Sequence, residues 1–260
     1  MFETVELGVD ERGVATLCLN RPDKHNALSA QMIADLTAAA RQLAGAPDVR
    51  VVVLRAEGKS FCAGGDLNWM QEQMAADRDT RFREARKLAH MLDVMNTLPK
   101  PLIGRVHGPA FGGGLGMAAV CDVAIGVAGA RFGLTETRLG VIPATIAPYV
   151  IARMGEARAR RVFMSSRVFQ AEEAVALGLL ARTVQPGDLD AAIEDEIAPY
   201  LACAPGAVAD AKALARSLGP VIDDAVIDKT VEALVRRWET AEAQAGIEAF
   251  FARRPPPWAP

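Results

Sequence analysis

Three stretches of the 260-residue chain carry residue types that can do chemistry. Gly112, Gly113 and Gly114 stand where an apolar segment, Leu102 to Val106, passes into a small, apolar run ending at Asp122. Glycine at a strand-to-helix turn lets the backbone come close to another group. A helix N-terminus leaves amide donors unpaired and partly positive. Such a turn can offer N–H groups to an oxygen anion; a packing turn with no room for side chains is the competing reading. A second turn of this type, Ala63-Gly64-Gly65-Asp66, follows the apolar run Val49 to Leu54, and Asp66 would cap the helix after it. The third stretch, Ala130 to Pro143, holds one carboxylate, Glu136, in mostly apolar, glycine-bounded surroundings. Amides aimed at a carbonyl oxygen stabilise the enolate formed when a proton leaves or joins the α-carbon, each worth about 2.7–4 kcal/mol of barrier. A glutamate in an apolar pocket has its pKa moved toward neutrality and can serve as general acid and base. A partly exposed turn carboxylate is the plainer alternative.

The elements that would hold these residues alternate. Thr4 to Leu7 and Val14 to Leu19 read as a strand pair around the turn Asp10 to Gly13. Ser29 is a good N-cap for a helix reaching about Leu43, with apolar residues at Met32, Ile33, Leu36, Ala40 and Leu43. Val49 to Leu54 is a buried strand by its near-continuous apolarity. Asp79 to Thr97 reads as a long polar helix, Leu102 to Val106 and Asp122 to Val127 as strands, and Ile146 to Met154 and Glu156 to Met164 as helices. Gln170 to Leu177 is a short helix with Gly178 as its C-cap, and Leu179 to Val184 a last strand. From Asp188 the pattern is helical, over 188–203, 205–217 and 220–245; the proline-rich tail from Arg253 cannot continue a helix. The expected layout is an α/β core over 1–190 and a helical region over 191–260. The two glycine turns fall at equivalent places in successive strand–turn–helix units, the loose mark of a repeated ββα plan.

Composition narrows the function. The net charge of −3 speaks against nucleic-acid and membrane-surface binding, which need concentrated positive charge. The local basic runs, Arg158 to Arg161, Arg236-Arg237 and Arg253-Arg254, read as solvated faces. No apolar run is long enough for a bilayer span, and the acidic N-terminus lacks a signal-peptide pattern, so a cytoplasmic location is the default. The four cysteines and three histidines have no metal-ligand spacing, and no metal site is expected. Cys18 and Cys121 read as buried thiols. No GxSxG elbow or GxxxxGK loop is present.

The motifs, taken in order along nearly the whole chain, resemble the crotonase, or enoyl-CoA hydratase/isomerase, superfamily. Arg21 to Leu28 is similar to its N-terminal loop, Ser60 to Leu67 to its first oxyanion turn, and Val106 to Asp122 to its second. Phe132 to Pro143 is similar to its catalytic segment and Ala171 to Leu179 to a further stretch. The resemblance implies a spiral of ββα units with a helical C-terminal trimerisation region, assembling as a homotrimer or a dimer of trimers. It implies an acyl-CoA thioester substrate and no separate cofactor, since coenzyme A enters with the substrate. It assigns the oxyanion amides to Ala63 and Gly113 and the acid/base to Glu136. Coenzyme A would run along Ala63, Gly64, Gly65 and Asp66, with Lys24 and Ala27 beside it and Phe250 and Arg253 reaching it from a neighbouring subunit. Gly112 and Leu67 belong to the same two turns.

One position departs from the pattern. Typical hydratases carry a second glutamate two residues after the glycine triplet; here it is Gly116. The remaining combination, with Asp66-Leu-Asn-Trp-Met70, Leu134 to Arg138 and Ile142 to Val150, looks like hydratases acting on branched, carboxylated enoyl-CoAs such as methylglutaconyl-CoA. Arg138 is then a candidate partner for the substrate carboxylate, and equally a surface arginine. Trp69 and Met70 would line the acyl pocket or pack in the core, and Tyr149 is a pocket wall or a packed phenol. A Δ3,Δ2-enoyl-CoA isomerase using the single glutamate is the alternative, and a non-catalytic acyl-CoA-binding relative is a third.

Overall fold

A computed structural model describes residues 2–259. In chain order, β1 (Val5–Val9) and β2 (Val14–Leu19) precede α1 (Ala30–Ala44), β3 (Val51–Ala56), α2 (Leu67–Ala75) and α3 (Arg78–Asn96). Then come β4 (Leu102–Val106), β5 (Ala110–Phe111), α4 (Gly113–Val120), β6 (Val123–Val127) and β7 (Arg131–Gly133). A 3-10 turn, Glu136–Leu139, leads to α5 (Ala147–Met154) and α6 (Glu156–Phe163). The rest is β8 (Val168–Gln170), α7 (Ala171–Ala176), β9 (Arg182–Val184), α8 (Leu189–Leu201), α9 (Pro205–Ser217), α10 (Asp224–Trp238) and α11 (Ala241–Phe251).

The strands form two sheets. The larger has the order β1-β2-β3-β4-β6-β9; β1 and β2 are antiparallel and each later pairing is parallel. The smaller has the order β5-β7-β8. From β4 the chain passes to β5 and then to α4. From β3 it passes through a parallel bridge, Cys62 to Ala110, and then to α2. Each circuit thus visits the large sheet, the small sheet and a helix, the ββα spiral expected from the two glycine turns. Parallel strands covered on both faces must be apolar throughout, and Val51, Val52, Val53 and Leu54 are all buried.

Caps fall where the sequence places them. Ser29 accepts from Met32 N–H and Asp66 from Asn68 N–H at 2.9 Å. The structure differs in two places. The small sheet is built from strands of two or three residues, too short to show alternation. The helix expected over 220–245 is two, α10 and α11, because Thr240 turns outward and caps Ala243 N–H. These two do not stand apart from the core. Helix α10 packs on α3 through Ile227, Val231 and Val235 against Ala85 and Ala89. Trp238 and Ile247 close on Val141, next to the 3-10 turn.

The start of α4 is one of the tightest points of the spiral. A Cβ on Gly114 would stand 2.4 Å from the Cys62 carbonyl oxygen, a backbone atom that cannot rotate away. Gly114→Ala should therefore force the two glycine turns apart and cost about 1–3 kcal/mol. A urea midpoint equal to that of the wild type would show that the turns are not held this closely.

Candidate active site

The two turns, the 3-10 turn and the C-terminal helices enclose a cavity of about 500 Å³. Ala63, Gly64, Gly65, Leu67, Trp69, Met70, Gly112, Gly113, Glu136, Arg138 and Phe250 line it. Lys24, Ala27, Asp66, Gly116 and Arg253 do not. Asp66 turns away to cap α2 and pairs with Arg21 at 3.0 Å, tying the N-terminal loop to the first glycine turn. Asn26 reinforces that tie, its buried amide donating to the Glu57 and Ser60 carbonyls.

Hydrogen bonding in the first turn moves the donor expected at Ala63. The Ala63 N–H already donates to the His25 carbonyl at 3.0 Å. Leu28 N–H donates to Gly64 O at 2.7 Å and Asp66 N–H to Leu28 O at 3.0 Å, so these groups face the N-terminal loop. The carbonyl and N–H of one trans peptide group point in opposite directions, and the Gly65 N–H shares its peptide group with Gly64 O. The Gly65 N–H consequently points away from that loop, and among the described residues it has no acceptor. The Gly64 N–H has no acceptor among the described residues either, but Gly65, two residues beyond the expected donor, is the one whose direction the pairing with Leu28 fixes.

The second turn keeps its expected donor. Gly112, at φ 49°, is the N-cap of α4, and Gly113 is the first helical residue. Its amide has no partner within the helix, and the positive end of the helix dipole adds to it. Gly112 also makes room for the acid. Glu136 Oε1 lies 2.8 Å from where a Cβ on Gly112 would stand, so the carboxyl rests against bare backbone. Its Oε2 is enclosed and has no hydrogen-bond partner. Burial pushes the Glu136 carboxyl up from 4.5 to about 7, with a smaller opposing effect from a hydrogen bond to its own backbone N–H. The turn carrying it is fixed from behind: Arg237 Nε donates to Gly140 O at 2.7 Å, and Gly140 lies directly against the Glu242 carbonyl.

The alternatives left open by the sequence separate. Trp69 and Met70 are cavity wall, and the Trp69 indole N–H is enclosed without a partner. Tyr149 is a packed phenol, buried and donating to Ala89 O at 3.0 Å. Arg138 is exposed at the cavity, its backbone N–H bonded to Ser166 Oγ at 2.9 Å, and its guanidinium has no ion pair among the described residues. Phe250 lines the cavity of its own chain. A Cβ on Gly116 would stand 2.6 Å from Ile146 Cγ2, so the position of a second carboxylate is filled by an isoleucine. Thr145, Ile146, Leu234 and Trp238 also line the cavity. The sequence carries no distinguishing signal for Leu234 and Trp238, whose spacing is that of any amphipathic helix. Ile146 was legible only as part of the motif Ile142 to Val150.

Known proteins resemble the chain along its whole length. The family model described as "Enoyl-CoA hydratase/isomerase" matches residues 10–260. A solved enoyl-CoA hydratase from Shewanella pealeana is 37% identical, with a TM-score of 0.82 over 99% of this chain and 97% of that one. Another, from Mycobacterium avium, is 30% identical with a TM-score of 0.86 over 100% of both chains. Enoyl-CoA hydratase ACTT6 of Alternaria alternata is 32% identical over 209 residues, 80% of this chain and 68% of its own. The chain belongs to the enoyl-CoA hydratase/isomerase family, within the crotonase superfamily, and is an enzyme of that family.

The raised acid has a consequence for stability. Between pH 4.5 and about 7 the folded chain keeps a proton on Glu136 that the unfolded chain has released. Stability from this group is therefore complete below about pH 4.5 and declines as pH rises through 7, by on the order of 2 kcal/mol. Glu136→Gln has no proton to lose. Its denaturation midpoint should match the wild type near pH 4.5 and exceed it at pH 8. An equal midpoint at both values would mean that the carboxyl is not buried in this way.

Proposed function

We propose that the protein hydrates a 2-enoyl-CoA thioester, with the Gly65 and Gly113 amides holding the thioester oxygen and Glu136 as the only acid/base. The observation that carries this reading is the Glu136 carboxyl resting on Gly112 with its Oε2 unpartnered, one residue from a free helix-terminal donor. Ionised Glu136 takes a proton from water as the water oxygen bonds to C3. The π electrons of the double bond pass to the thioester oxygen as an enolate. Glu136 then returns the proton to C2, and one molecule of water has been added. The amides favour the enolate over the neutral thioester, which is where such donors act on rate rather than on binding.

The acyl group in this reading is branched and carboxylated, of the methylglutaconyl type. Arg138 is a free guanidinium at the cavity, and Ile146 gives the opposite wall an apolar face where other hydratases have a charge. An isomerase moving the double bond from C3–C4 to C2–C3, by carrying a proton between C4 and C2, is the second reading. It is favoured by the same filling of the Gly116 position, because proton shuttling needs one base and no water.

Enoyl-CoA thioesters assayed for both hydration and double-bond migration separate the readings; migration without hydration would establish the isomerase. Glu136→Gln should lower kcat by about 10²–10⁴-fold with KM nearly unchanged. An unchanged rate would instead support a binding-only relative. With wild-type enzyme, kcat/KM should rise with pH through about 7 as Glu136 ionises. Arg138→Ala should raise KM about tenfold or more for a carboxylated thioester and leave crotonyl-CoA unaffected. Equal wild-type turnover of the two substrates would remove the case for a carboxylate subsite.

A further inference from the structure

A base alone does not aim a water molecule. Water held only by Glu136 has one hydrogen bond fixed and can swing its lone pair away from C3; a second anchor fixes its direction. The place from which a second carboxylate would reach it is taken by the Ile146 methyl. The residue before it, Thr145, faces the same cavity.

Thr145 is 6% exposed. Its hydroxyl has no bonding partner among the described residues, yet it does not belong to the polar atoms that are both unpartnered and enclosed. The small surface that Thr145 retains therefore includes Oγ1, and Thr145 is part of the cavity wall. Buried hydroxyls ordinarily find a partner, so this one is left to bond to whatever occupies the cavity. Its direction is set by a fixed turn: Ala144 N–H donates to Ile142 O at 2.8 Å, and Ala147 N–H to Ala144 O at 3.1 Å. Helix α5 follows at once, anchored through Tyr149 and Val150 in the core.

We infer that Thr145 is the second anchor of the attacking water, its Oγ1 accepting one hydrogen bond from the water while the Glu136 carboxylate accepts the other. The inference rests on the hydratase reading and assigns a water-positioning role to a residue outside both glycine turns. Thr145 keeps its own proton throughout. The proton that moves goes from water to Glu136 and on to C2, so the hydroxyl changes only the direction of attack.

The test compares Thr145→Val, which keeps the shape and removes the hydroxyl, with Thr145→Ser, which keeps the hydroxyl. Each full-length variant is assayed for hydration of crotonyl-CoA and a branched, carboxylated enoyl-CoA. Each is also assayed in D2O for exchange of the C2 proton of a saturated acyl-CoA, which uses Glu136 and the amides but no attacking water. Thr145→Val should lose about 100-fold in hydration kcat, with KM and C2 exchange little changed, and Thr145→Ser should recover most of the loss. Hydration at the wild-type rate in Thr145→Val overturns the inference. A parallel fall of hydration and exchange overturns it too, because it marks a merely structural role. Exchange without hydration of any 2-enoyl-CoA by the unaltered protein removes the hydratase reading and this inference with it. That failure is read on the wild type and is thus distinct from the other two.

Discussion

The site depends on one costly placement, a carboxyl group buried against backbone with one oxygen unpartnered. A charged carboxylate there would lose its water without gaining a cation, and it responds by holding its proton to about pH 7. Everything around Glu136 serves to make that placement possible. Gly112 lacks the side chain that would occupy the same space. The α4 N-terminus brings a positive dipole end to the acid without a full charge that would pull its pKa back down. The C-terminal helices then press on the turn from outside, through Arg237 and the Glu242 backbone.

The same packing explains why the C-terminal region cannot be read as an appendage. Trp238, Leu234 and Phe250 supply cavity wall, and Ile247 packs beside Val141. This cover adds to the burial that raises Glu136 toward neutrality. Burial of the acid therefore depends on residues about a hundred positions from it in sequence.

Much of this was legible from residue types. The glycine turns, the Ser29 and Asp66 caps, the buried β3 run and the isolated glutamate each express a local rule, and the order of the motifs marks the family. What was not legible depends on contacts between distant segments. The free amide lies at Gly65 and not at Ala63 because His25 and Leu28, on another loop, take up the neighbouring peptide groups. The small sheet escaped notice because strands of two or three residues have no period. The break between α10 and α11 hangs on Thr240, one polar residue in an otherwise continuous helical pattern. Gly116 was visible as a missing carboxylate, but only the fold shows that Ile146 has moved into its place.

That exchange and the raised acid are two sides of one arrangement. In a site with two close carboxylates, each would raise the other by like-charge repulsion, and their titrations would be shared. Here the acid is raised by burial, with no neighbouring charge among the causes. Its proton affinity is then set by how completely the walls exclude water. Replacing a carboxylate by a methyl group therefore does more than delete a polar contact. It transfers control of the acid from a partner charge to the burial supplied by the cavity walls.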